Sequence, residues 1–201
     1  MSEISRSALF GKLNKIAYQS VESATVFCKM RGNPYVEVVH WIQQVLQLTD
    51  SDLHRIVKGF EIDPSVLVRD ITSALDSLPR GATSISDFSP HLEESVERGW
   101  VYGSLMLNDT RVRTGHMILG MLKTRSLKSV LLGISPEFGK ISEEQLGDQF
   151  DALTADSPET GSSAQGASAP GKENSAMAPP AMGKGEALAQ FTVDMTEEAR
   201  S

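Results

Sequence analysis

Most of this chain is written twice, and that predicts two copies of one supersecondary unit packed against each other. Ser95-Val96-Glu97 restates Ser20-Val21-Glu22, Gly99 falls where Ala24 stood, and Tyr102 where Phe27 stood. Val112, His116, Ile118 and Leu122 repeat Val36, His40, Ile42 and Leu46. Leu127, Val130 and Gly133 follow as Leu53, Ile56 and Gly59 did. Ile71, Leu75, Asp76 and Leu78 return as Leu146, Phe150, Asp151 and Leu153. The offset stays at about 75 residues and slips by one at loops, as a tandem duplication does.

The repeated unit is helical. Ile16, Ala17, Ser20, Val21, Ala24, Phe27 and Cys28 keep the three-and-four rhythm of one buried helix face. Gly32 and Asn33 can end that helix, and Pro34 prevents its immediate restart. Val38, Trp41, Ile42, Val45 and Leu46 form a second stripe. Thr49-Asp50-Ser51-Asp52 caps a short helix through Leu53, Ile56 and Val57. Asp63-Pro64 and Ser89-Pro90 are each an N-cap followed by proline at the first helical position. No alternating strand pattern appears. The expected fold is all-α: two pseudo-two-fold four-helix units, one over about 5–78 and one over about 88–153. An extra amphipathic helix, Ser5 to Leu13, precedes the first unit and has no counterpart in the second.

Composition changes after Leu153. Residues 154–186 are almost entirely Ala, Gly, Ser and Pro with scattered charges, which predicts a flexible linker. Within it GASAPGKE, Gly166 to Glu173, imitates a phosphate-binding loop. It lacks the preceding strand, the following helix and the final hydroxyl, so the match is accidental. The net charge of −7, with no clustered Lys/Arg face, argues against nucleic acid as a partner. No segment approaches eighteen consecutive apolar residues, which excludes a membrane-spanning helix. Cys28 is the single cysteine, so neither an internal disulfide nor a cysteine-based metal cage is available, and it reads as a small buried hydrophobe.

The doubled helical pattern resembles the N-terminal domain of the Clp/Hsp100 AAA+ unfoldases. ALFGKLN (Ala8 to Asn14), EVVHW (Glu37 to Trp41) and VERGWVYGSL (Val96 to Leu105) resemble the ClpV branch, which serves type VI secretion. ALAQFTVDMTEEAR, Ala187 to Arg200, is similar to the lead-in to that family's first AAA+ module, making 187–201 a truncated lead-in. The resemblance implies a recognition domain that carries no cofactor itself. ATP and Mg would belong to a hexameric, cytoplasmic bacterial parent that disassembles contracted sheath. The implied partner is a short N-terminal helix of the larger sheath subunit (TssC, also called VipB), and the isolated domain would be a monomer. An N-domain of a general disaggregase or protease-partner chaperone, binding loose chains or adaptors, is the alternative.

Helix-in-groove recognition needs an apolar channel with small residues that let a backbone approach. Leu9, Phe10, Leu13, Ala17, Ser20 and Ala24 supply one wall, and Ser84, Ile85 and Phe88 of the inter-repeat loop the other. Phe10 and Ile85 stand out because the four-helix units need neither segment. The competing reading places Leu13, Ala17 and Ala24 in ordinary core. No catalytic or metal-binding residue is expected. His40 and His116, matched across the repeats, read as structural groups near helix starts that bond loop carbonyls. His54 and His91 read as surface residues, and Glu93, Glu94 and Glu97 as a solvated helix face.

Overall fold

The computed structural model describes residues 5–160. The GASAPGKE stretch, most of the linker expected at 154–186 and the 187–201 lead-in lie outside the described residues. The leading segment forms α1 (Arg6–Phe10), whose N-cap hydroxyl, Ser5 Oγ, accepts from the Ala8 amide at 3.1 Å. The first repeat then builds α2 (Lys15–Arg31), β1 (Tyr35–Val36), α3 (Val38–Leu46), α4 (Asp52–Gly59) and α5 (Pro64–Asp76). The second builds β2 (Asp87–Phe88), α6 (Pro90–Leu105), α7 (Thr114–Leu122), α8 (Arg125–Ile134), a 3-10 turn over Pro136–Lys140, α9 (Glu143–Asp148) and α10 (Phe150–Leu153).

The caps expected from sequence are in place. Asp63 and Ser89 accept from backbone amides two residues on, with proline at the helix start. Gly32 ends α2 at φ 73°, a left-handed conformation that a side chain disfavours. One apolar core runs through both repeats, from Leu9 and Phe10 to Phe150.

Three expectations need correction. The expected fourth helix of the second repeat is broken: where α5 runs unbroken for 13 residues, α9 and α10 are short pieces hinged at Gln149. The packed unit does not stop at Leu153, since Thr154, Ser157 and Glu159 are buried. The absence of strand pattern also hid two short parallel pairings. Tyr35-Val36 pairs with Asp87-Phe88, and Leu13 bridges Val112. These pairings are reciprocal. The residue leading into α6 joins the strand ahead of α3, and the residue leading into α2 joins the loop ahead of α7. Two residues are too few for alternation to register in a sequence.

Candidate functional site

Of the nine groove residues expected from sequence, two are in direct ring contact. Phe10 meets Phe88 edge-on, with ring centroids 5.3 Å apart. Arg6 fixes α1 to the start of the second repeat through Asp87 at 2.9 Å and through Glu93, with its guanidinium over the Phe88 ring. Most of the set, however, is interior. Leu9, Phe10, Leu13, Ala17, Ser20, Ala24 and Phe88 are all buried. Ser84 is exposed and Ile85 half-buried, so of the nine only these two offer a rim to a partner. Ser20 has a structural task, since its Oγ accepts from Trp41 Nε1 at 2.8 Å. Phe10 is therefore core, against the expectation that a segment outside the repeated units is free to face a ligand.

The paired histidines are structural in a different manner from that expected. Each occupies the third position of its helix and accepts, through Nδ1, the amide of the residue before the helix: Glu37 for His40 at 2.8 Å, Arg113 for His116 at 3.1 Å. That satisfies one amide the helix start leaves over, so the bonded group is an N–H and not a loop carbonyl. His40 Nε2 meets Asn33 Oδ1 at 2.8 Å, and burial, with the nearby Arg31 charge, lowers its pKa to about 4. His116 Nε2 lies 2.9 Å from Asp109 Oδ2 but approaches too obliquely for a hydrogen bond. His54 is half-buried against Ser51 Oγ at 2.8 Å, whereas His91 is exposed. Cys28 is buried and donates to the Asn33 and Tyr35 carbonyls, with burial pushing its thiol up to about 12. Among the described residues no group of His, Cys, Asp and Glu is placed to hold a metal ion, and no helix is long and apolar enough to cross a membrane.

Two features escaped the sequence reading. The first is a buried charged joint between the repeats, where Arg113 forms a two-pronged pair with Asp52, both contacts at 2.8 Å. Glu159 closes over this joint, and burial together with the Asp52 charge raises its pKa to about 7. The second is an open cleft of about 590 Å³ between α2 and α3. Glu22, Ser23, Val26, Phe27 and Met30 face Gln44 and Gln47 across it. Val26 and Met30 gave the one available signal, an apolar pair four residues apart on the polar side of α2.

This double-repeat helical bundle with a short leading helix has the architecture of a Clp N-terminal domain. No family model matches the chain, but individual proteins do. It is 60% identical over its whole length to the AAA+ ATPase ClpV1 of Pseudomonas aeruginosa, and 46% identical over 98% of its length to the chaperone protein ClpB of Yersinia enterocolitica. It spans only 23% and 22% of those relatives. A solved structure from work on the coevolution of the ATPase ClpV, the TssB-TssC sheath and the accessory HsiE protein is 62% identical. It superposes with a TM-score of 0.77, covering 79% of this chain and 98% of that one. A ClpV N-domain solved in complex with a VipB peptide is 25% identical with a TM-score of 0.67, covering 79% of this chain and 97% of that one. The chain belongs to the ClpV family and corresponds to its N-terminal domain.

Proposed function

We propose that this chain is the substrate-recognition domain of a sheath-disassembling AAA+ unfoldase and binds a short N-terminal helix of the larger type VI secretion sheath subunit. The observation that carries this reading is close identity to a solved ClpV domain, joined to a related ClpV N-domain that was solved holding a VipB peptide. In the longer protein, ATP with Mg would drive a hexameric ring in the bacterial cytoplasm. This domain would select what the ring pulls and would itself be monomeric and without hydrolytic activity.

The docking face of this proposal is the one around α1, the first half of α2 and the 84–88 loop. On this reading a peptide would lie over the buried Leu9, Phe10, Leu13 and Phe88 and meet Ser84, Ile85 and the exposed Ala8 of α1, with Ala17, Ser20 and Ala24 supporting that face from within the core. Burying three or four aliphatic side chains of a peptide yields on the order of 6–8 kcal/mol before ordering costs. One groove therefore binds weakly, and six tethered copies gain by avidity on a polymeric target.

Isothermal titration with N-terminal peptides of both sheath subunits tests the reading. The larger subunit's peptide should bind, and Ile85→Glu should abolish binding without shifting the melting temperature. Equal heats from an unfolded carrier protein would instead favour the general-chaperone alternative, which the ClpB relative keeps in view.

A further inference from the structure

Glu159 lies in a stretch that composition marks as linker, yet its side chain is fully buried. Its carboxylate accepts the Thr114 amide on Oε1 and the Asp52 amide on Oε2, both at 2.8 Å. Those amides open α7 of the second repeat and α4 of the first. Asn14 Nδ2 donates to Oε1 at 3.0 Å, while Asn14 Oδ1 caps α2 through the Ala17 amide at 2.7 Å. Thr114 Oγ1 donates to Oε2 as well. One side chain thus serves three helix starts drawn from both repeats, beside the buried Asp52–Arg113 pair.

The segment that delivers this carboxylate is Thr154-Ala155-Asp156-Ser157-Pro158-Glu159-Thr160, and none of it belongs to the apolar core. Its remaining ties are polar. Arg113 Nη2 donates to Thr160 Oγ1 at 3.1 Å, Thr160 Oγ1 donates to the Thr154 carbonyl at 2.7 Å, and Arg55 reaches the Asp156 carbonyl at 3.3 Å. A segment that contributes no residue to the apolar core exposes little apolar side chain of its own when it departs.

We infer that residues 154–160 form a releasable clasp, which joins the two repeats through Glu159 and on withdrawal loosens the joint without unfolding either repeat. This holds whatever the domain binds. It makes the C-terminal exit of the domain a point through which tension or displacement reaches the inter-repeat joint.

Amide hydrogen exchange on the full chain tests it, comparing the unaltered protein with Glu159→Ala, Glu159→Gln and Thr160→Val. In Glu159→Ala, exchange at the Asp52 and Thr114 amides should rise by about ten-fold or more, while Ala24 and Gly99 in mid-helix keep their protection. Glu159→Gln retains one acceptor oxygen and turns a donor toward the other amide, so it should fall between. Thr160→Val removes two bonds, one of them from Arg113, but leaves Glu159 and the Asp52–Arg113 pair in place, and should raise exchange at the same two amides by a smaller factor. Unchanged exchange at Asp52 and Thr114 in Glu159→Ala overturns the clasp. So does a uniform loss of protection that takes Ala24 and Gly99 along, which would make the segment an inseparable part of the core. If Glu159→Ala does not fold, Thr160→Val decides: a selective rise supports release, and a uniform rise or none overturns it.

Discussion

The helix pairs α2–α3 and α6–α7, which the sequence repeat sets in correspondence, pack differently: an open cleft lies between the first pair, and glycines bring the second into close contact. In the second repeat α6 and α7 press together because Gly99, Gly103 and Gly120 lie between them. A Cβ added at Gly120 would sit 2.7 Å from the Arg98 carbonyl carbon, and one at Gly103 would sit 2.5 Å from His116 Nδ1. The matching positions of the first repeat are Ala24, Cys28 and Gln44, and there Gln44 lines the open cleft against α2. Ala24 and Cys28 are buried, so the difference at the open cleft falls on Gln44, where the second pair has Gly120.

The sharpest way to break the comparison is at Arg113, which stands where the first repeat has Glu37. Arg113→Met leaves Asp52 and Glu159 buried without their cation, and should cost about 3–5 kcal/mol. Glu37→Met, at the half-buried equivalent, should cost less than about 1 kcal/mol. Chemical denaturation of both variants checks the contrast, and equal losses would mean that the joint carries no special load.

Acid provides a second test, because His40 and Glu159 respond with opposite signs. The folded pKa of His40, about 4, lies below its ordinary 6.5, so the unfolded chain takes up a proton first. Stability is present above pH 6.5 and is lost as pH falls through about 4, by about 3 kcal/mol at most. Glu159 is raised from 4.5 to about 7, so its contribution is present below 4.5 and lost as pH rises toward 7. The two partly cancel between those limits. Glu159→Gln removes one of them, and its stability should then fall monotonically below pH 6.5 where the parent curve is flatter.

Exchanging the two repeats at one residue gives a smaller effect. Gly120→Gln, which installs the first repeat's residue, must push α7 off the Arg98 backbone and should cost about 1–3 kcal/mol. The reverse change, Gln44→Gly, meets open space in the cleft and should cost only about 1 kcal/mol through helix propensity. Midpoints in urea distinguish the two, and a cheap Gly120→Gln would show that glycine does not set the closure.

How far the sequence could be read depended on what kind of interaction each residue makes. Helices were legible because apolar period and cap chemistry are local: Asp63-Pro64, Ser89-Pro90 and Gly32 each mark a boundary without reference to distant residues. The reciprocal pairings of Leu13 with Val112 and of Val36 with Phe88 are long-range and only one or two residues long, so no periodicity announces them. Glu159 was hidden for a different reason. Its segment is buried through hydrogen bonds, and a composition test recognises burial only by apolar residues. At the candidate groove the depth of the residues was not legible, since Phe10 lies outside the repeated units and still packs into the shared core against Phe88.

The smallest effect concerns an exposed pair at positions the sequence repeat sets in correspondence. Met30 near the end of α2 is 78% exposed, and Leu105 at the end of α6 is 81% exposed. Neither holds the fold, so Met30→Glu and Leu105→Glu should each move stability by less than about 0.5 kcal/mol. Their surroundings differ, however: Met30 borders the open cleft, and Leu105 ends α6, which glycines let pack closely on α7. A probe that reports accessible apolar surface, such as fluorescence of a hydrophobic dye, should therefore lose signal with Met30→Glu and barely change with Leu105→Glu. Equal losses would mean that exposure alone, and not the open cleft, distinguishes the first repeat's surface.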